Sequence, residues 1–160
     1  MSTDLQWLLL RQWNSFQVKP KNGKTFSKEK GNLLNLHSHK YSGLANSKVV
    51  NIDLAAEGNV VITKIKGDAK PTQVASARTH VTLRRNTGPR RVNKIVAVET
   101  AHKGYRADLR HAAVARASAV LKAHKQSLNP PKEYPIKVRG KKGKAFMGAE
   151  KTEDDVIELD

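Results

Sequence analysis

The sequence predicts an α+β fold: a small antiparallel sheet packed by a short N-terminal helix and two C-terminal helices, followed by an extended tail. Three observations predict it. Residues 47–83 carry short β-branched runs separated by turn residues. Residues 103–125, KGYRADLRHAAVARASAVLKAHK, repeat apolar side chains at helical spacing. From Ser127 onward Asn129-Pro130-Pro131 and Pro135 deny helix, and the charges that follow have no core to serve. The expected organisation is a globular domain at 1–126 and an extended tail at 127–160, basic first and acidic last.

Taken in order, Thr3-Asp4-Leu5-Gln6 matches a capping box, with Thr3 as N-cap and Gln6 reaching back. The helix that follows is expected to turn Leu5, Leu8 and Leu9 inward and keep Trp7 and Arg11 at its rim. Two turns are unstable alone in water, so it has to dock on the body. Phe16-Gln17-Val18-Lys19 and Thr25-Phe26-Ser27 flank a turn at 20–23 and predict a hairpin whose tip carries Lys19, Lys21 and Lys24. Residues 28–46 have no period; such a loop either takes its order from a partner or stays solvated.

The β region reads as a three-stranded meander. Val49, Val50, Ile52 and Leu54 form one strand, and Glu57-Gly58-Asn59 turns into Val60, Val61, Ile62 and Ile65. Gly67, Asp68 and Pro71 punctuate. Residues 73–83 are the third strand, with Ala75, Ala77, Thr79, Val81 and Leu83 facing one way. Asn86-Thr87-Gly88-Pro89 then announces a helix, with Asn86 or Thr87 as cap and Pro89 in the first turn. It is expected to reach about His102, burying Val92, Ile95, Val96 and Val98 or Ala101. After Gly104 the long helix places Leu109, Ala113, Val114, Ala117, Val120 and Leu121 on one side, and Arg106, Arg110, His111, Lys122 and Lys125 on its edges or far face.

Charge bounds the function. The chain of 160 residues has a formal net charge of +16. Residues 150–160 hold six acids and one base, which leaves 29 bases against eight acids in residues 1–149. So basic a body favours neutralising phosphates, because each cation placed on a nucleic acid releases condensed counterions. Aromatics are only 5%, so the core has to be aliphatic and alanine. The absence of cysteine excludes disulfides and thiolate metal sites. Leu8-Leu9-Leu10 is far too short for a membrane span, and Asp4 stands where a signal peptide would carry a base, so a soluble intracellular protein is expected.

Catalytic chemistry has no foothold. The Gly140 to Lys144 segment lacks the spacing of a phosphate-binding loop, and Ala145 stands where Ser or Thr is required. His37 and His39 have no carboxylate or thiol nearby in sequence to complete a metal site. No paired carboxylates are flagged by spacing. The expectation is no enzyme, no cofactor, no metal and no small-molecule substrate.

Binding chemistry is better supplied. Arg84, Arg85, Arg90 and Arg91 bracket one turn and are the first choice for phosphate contact, since guanidinium binds phosphate bidentately. A solvated basic loop is the competing reading. Arg106 and Arg110, a turn apart, fit adjacent phosphates or, equally, pairing with Asp108. Arg116 lies near the small Ala112, Ala119 and Ala123 face, where it either meets a charged partner or snorkels. Lys122 and Lys125, with Lys137, Arg139, Lys141, Lys142 and Lys144 of the tail, complete the expected RNA-binding set. Trp7, Trp13 and Tyr41 read as packing more than stacking platforms. No ribonucleoprotein aromatic motif, zinc finger or KH loop is present, so backbone and shape contact is expected over base reading.

The order of short motifs carries a resemblance. Leu5-Gln6-Trp7, Arg11, Asn14-Ser15-Phe16, Phe26-Ser27, Asn32-Leu33, Tyr41-Ser42-Gly43-Leu44, Arg106-Ala107-Asp108-Leu109-Arg110 and Arg116-Ala117-Ser118-Ala119 follow one another across residues 3–125. This resembles the eukaryote-specific large-subunit ribosomal protein family numbered twenty-eight in the eukaryotic series. The resemblance implies a compact α+β domain with a basic extension, and a structural constituent of the cytosolic large ribosomal subunit. It further implies binding to large-subunit rRNA beside neighbouring ribosomal proteins, and passage through nucleus and nucleolus during assembly. A related domain opens a nucleolar large-subunit assembly factor, which is similar to zinc-binding proteins with cysteines here; this chain has none. A basic DNA or chromatin binder is the remaining alternative. The acidic end, residues 150–160, departs from the basic ending expected of the family.

Overall fold

A computed structural model describes residues 2–70, 72–132 and 140. The chain divides after Asn129, and the first unit holds all but four of the described residues. Its elements are α1 (Thr3–Leu10), β1 (Gln17–Val18), β2 (Phe26–Ser27), β3 (Val50–Leu54), β4 (Val60–Ile65), β5 (Arg78–Thr82), α2 (Pro89–Ala97) and α3 (Arg110–Leu128). A π-turn, Val98–His102, extends α2, and a 3-10 turn, Ala107–Leu109, leads into α3. The architecture is α+β with two small antiparallel sheets, as the sequence predicts.

The β3-β4-β5 meander forms because β-branched residues alternate with polar ones. Ile52 pairs with Ile62 and Leu54 with Val60, while Ile62 pairs with Val81 on the far side. One face carries Val50, Ile52, Val60 and Ile62, all buried, and Val92 and Val96 of α2, Leu109 of the 3-10 turn and Ala112, Ala113 and Ala117 of α3 close over it. Ala113 and Ala117 have no exposed surface, which brings the α3 backbone close to the sheet. The core is aliphatic and alanine, as the scarcity of aromatics requires. β5 is shorter than expected: residues 73–77 make successive turns, with Ala77 N–H donating to Gln73 O at 3.1 Å. Alanine has little preference for a pleated strand, so Ala75 and Ala77 do not hold one.

The helix ends differ from expectation in instructive ways. Ser2, not Thr3, caps α1, its Oγ accepting from Leu5 N–H at 3.3 Å. Leu5, Leu8 and Leu9 are exposed rather than inward; Trp7 is the docking residue, stacked on His39 at 5.5 Å and tilted against His37 at 4.9 Å. Gly88 caps α2 in place of Asn86 or Thr87, with no side-chain bond. The π-turn then adds one residue to the repeat. Glu99 and Thr100 are buried rather than the expected Val98 or Ala101, because the ~100° step from Val92 and Val96 carries positions 99 and 100 toward the same face. Finally, Arg106 is extended at φ −149°, so it precedes α3 and does not share a helical face with Arg110. The helix continues to Leu128, past the expected Lys125.

Residues 28–46 are ordered by the chain itself. The buried Glu29 carboxylate accepts from Ser27 Oγ at 2.6 Å, Ser42 Oγ at 2.8 Å and Gly43 N–H at 2.9 Å. Asn32 donates to Leu36 O and accepts from Leu36 N–H. Asn46 joins His39 O and Ser42 O. These bonds supply the regularity that the loop's sequence lacks.

Candidate nucleic-acid interface

The arginine turn is built from its two anchors. Leu83, just past β5, and Val92, on α2, are buried in the core, so the segment between them is held at both ends. Thr87 N–H closes the turn on Arg84 O at 3.0 Å. Pro89 starts the helix, where a missing N–H costs nothing. Arg84, Arg85, Arg90 and Arg91 are all exposed, and among the described residues none is within ion-pairing distance of a carboxylate. The first turn of α2 has no acid either. Four guanidiniums thus crowd the positive end of a helix dipole, an arrangement that an anion makes favourable.

A second basic element meets this turn. Gly58 sits at φ +84°, and a Cβ there would lie 2.9 Å from the His124 ring and 3.8 Å from Arg85 Nε. The β3–β4 turn, the arginine turn and the end of α3 therefore converge. Lys122 and Lys125 flank His124 on α3 and are exposed. His124 was absent from the expected set; its position two and one residues from those lysines was the available signal.

The hairpin forms as predicted, with Gln17 opposite Ser27 and Val18 opposite Phe26, and Lys19, Lys21 and Lys24 are exposed around it. Lys19 also donates to Gln12 O at 3.1 Å. Arg110 is exposed and, with His102 and His111, rims a groove of about 630 Å³ between α2 and α3. Lys137, Arg139, Lys141, Lys142 and Lys144 lie outside the described residues.

Two of the expected contact residues are also held within the fold. Arg106 is engaged within the fold: its guanidinium reaches both Asp108 carboxylate oxygens at 2.9 and 2.8 Å, Lys48 O at 2.9 Å and Lys40 O at 3.1 Å. The hydrogen bonds from Arg106 outweigh burial and hold the Asp108 carboxyl below the usual aspartate range. Arg116 points to the edge of β3, with Nε 3.5 Å from Ile52 O and Nη2 3.7 Å from Asp53. Arg106 takes up the pairing with Asp108 that spacing allowed, and the carbonyls of Lys40, Lys48 and Ile52 and the Asp53 carboxylate are the partners that spacing did not reveal.

Beside Arg106 lies a buried polar knot. Glu99 takes Lys64 Nζ and Lys103 Nζ, each at 2.5 Å. Burial pushes the Glu99 carboxyl up, but the two ammonium groups outweigh it and hold the group below the ordinary glutamate value. The Tyr105 hydroxyl accepts from Ile65 N–H at 3.1 Å and offers its proton to the carbonyls of Ile65 and Val49. Burial raises its pKa above the usual phenol value.

His37 and His39 do acquire a carboxylate neighbour that sequence spacing missed: Asp4 Oδ1 is 3.8 Å from His39 Nδ1. His37 Nε2 lies 2.8 Å from Arg11 O and 2.9 Å from Gln17 Nε2. Among the described residues, no three His, Cys, Asp or Glu side chains group as a metal site would require. Nor is any described helix long and apolar enough to cross a membrane.

A family model for the Ribosomal L28e protein family matches residues 5–123. The chain belongs to that family. Relatives include the large ribosomal subunit protein eL28 of Schizosaccharomyces pombe, 35% identical over 130 residues, which span 78% of this chain and 94% of the relative. The protein of the same description from Dictyostelium discoideum is 35% identical over 125 residues, 77% of this chain and 89% of the relative. That from Caenorhabditis elegans is 37% identical over 106 residues, 59% and 82%. The family match encloses the arginine turn and Lys122, while Lys125 and the tail fall outside it. The resemblance carried by the short motifs is borne out.

Proposed function

We propose that this L28e-family chain is a structural constituent of the cytosolic large ribosomal subunit and binds large-subunit rRNA mainly through backbone phosphates. The observation that carries the reading is the set of four exposed, acid-free guanidiniums at the start of α2. The disposition of acids supports it. Glu29 and Glu99 are buried, and Asp53 and Asp108 face Arg116 and Arg106. Among the described residues only Asp4, Glu57 and Asp68 are left to compete with phosphate for the surface cations. The relatives are named as large-subunit proteins.

In this reading the 1–126 domain docks through the 84–91 turn, the end of α3 and the Lys19, Lys21 and Lys24 hairpin. Arg110 adds a contact at the other end of α3. The 127–160 segment contributes Lys137, Arg139, Lys141, Lys142 and Lys144 as further phosphate contacts. The chain performs no catalysis, takes no cofactor and has ribosomal proteins as its other neighbours. It works in the cytoplasm after assembly in the nucleolus.

Sedimentation of a lysate through a high-salt gradient tests this. Co-migration with large subunits, monosomes and polysomes is expected. Confinement to nucleolar precursor particles would replace the reading with an assembly factor, and release by DNase with a DNA binder.

A further inference from the structure

The meander is covered by helices on one face only. On the other, the register aligns Asn51, Thr63 and His80 in one row across all three strands. Asn51 Nδ2 donates to Asp53 Oδ2 at 2.6 Å, and Thr63 Oγ1 lies 3.1 Å from His80 Nδ1. These bonds orient an amide, a carboxylate, a hydroxyl and an imidazole on one small surface.

A wall stands opposite this row. Phe16, Lys28, Lys30 and Leu44 face the strands across a groove of about 500 Å³. The wall is close-built: a Cβ on Gly43 would lie 2.1 Å from Lys30 O, and one on Gly31 would lie 2.3 Å from Val49 Cγ1. The Glu29 carboxylate ties the same segment together from behind. The groove therefore exists before any ligand arrives, with Lys28, Lys30 and Arg78 exposed along it.

Resting on the rRNA-binding reading above, we propose that this groove receives a single unpaired rRNA nucleotide whose base is a guanine. Recognition of single-stranded RNA needs an apolar face for the ring, hydrogen-bond groups for its edge and cations for the backbone. Phe16, Leu44 and Ile65 supply the first, the Asn51, Asp53, Thr63 and His80 surface the second, and Lys28, Lys30 and Arg78 the third. Asp53 selects the base. Its carboxylate takes Asn51 at Oδ2 and has Arg116 Nη2 3.7 Å from Oδ1, which leaves lone pairs on both oxygens, and guanine alone among the four bases offers two adjacent donors, N1–H and N2–H, to such a group. Uracil would turn carbonyl oxygens toward it. The volume suits one base and excludes a duplex. The site adds base reading to a protein otherwise expected to bind by backbone and shape.

The test measures binding of the full chain to labelled single-stranded uridine tracts with one central G, A, C or U. The G tract should bind about tenfold tighter than the others, the discrimination expected of one bidentate pair. D53N should abolish that preference, bringing the ratio of G-tract to all-uridine affinity to about one, with its far-UV circular dichroism as the check on folding. R78A should weaken all four tracts alike and leave the order intact. Equal binding of the four tracts, or a G preference that survives D53N, overturns the nucleotide site and leaves the phosphate-binding reading standing. Failure to bind any tract overturns both.

Discussion

Two clusters of cations, less than twenty residues apart in sequence, are put to opposite uses. Around Glu99, the ammonium groups of Lys64 and Lys103 converge on one buried carboxylate, and Arg106 is chelated by Asp108 and two carbonyls. In the 84–91 turn, four guanidiniums stand in solvent with no described carboxylate in reach. Residue type does not separate them. What separates them is whether the fold brings an acceptor to the cation. A basic protein that satisfies some of its positive charge internally leaves the rest, by omission, as surface open to an anion.

The largest effect should come from breaking the satisfied cluster. Glu99→Ala leaves Lys64, only 15% exposed, beside an empty site, and should cost about 3 kcal/mol in urea unfolding. A loss below ~0.5 kcal/mol would mean that the knot contributes nothing beyond surface pairs. Next comes the unsatisfied cluster. Changing Arg84, Arg85, Arg90 and Arg91 together to Gln should lower RNA affinity by about two orders of magnitude and flatten its salt dependence by about three in slope, while stability moves by less than ~0.5 kcal/mol. If stability fell instead, the two clusters would not be different in kind.

Tyr105→Phe removes the hydroxyl that bridges the ends of β3 and β4, and should cost about 1–2 kcal/mol. It carries a signature at high pH. Because the folded pKa lies above the unfolded value of 10.0, the wild type keeps the full contribution below pH 10 and loses it as pH rises through the folded value; the Phe variant should lose that alkaline limb. The smallest effect is at acid pH. The Glu99 carboxyl is depressed when folded, so its contribution is complete above the unfolded value of 4.5 and declines as pH falls through the folded one. Glu99→Gln should flatten the stability profile below pH 4.5, measured by thermal unfolding.

The sequence made the meander, the α3 stripe and the arginine turn legible because each rests on local pattern: alternation, helical period, and a proline after a turn. The face of α1 was not legible. In eight residues Leu5, Leu8 and Leu9 outnumber Trp7, yet ring stacking on His37 and His39 decides the docking. Position 99 is in helical phase with Val92 and Val96, but a glutamate there reads as exposed until Lys64, far along the chain, is seen to pair with it. Arg106 in Arg-Ala-Asp looked as fit for phosphate as for Asp108, since the carbonyls of Lys40 and Lys48 come from far along the chain. The polar row on the open sheet face was within reach: Asn51, Asp53, Thr63 and His80 occupy alternate positions between the apolar ones that defined the strands.

Helix α3 runs alongside β3 in the same direction. Arg106, just ahead of it, holds Lys48; Arg116 meets Ile52 midway; His124 ends against Gly58. Nineteen residues at the α-helical rise make a rod of about 28 Å. Pinned at three stations to a sheet that is itself hydrogen-bonded, that rod has little freedom to bend or slide. Whatever is gripped at the Arg85 and His124 end is thereby kept at a set distance from whatever rests near Lys40 and Lys48. The domain behaves as a gauge block, and shortening α3 by a turn would change a spacing before it changed an affinity.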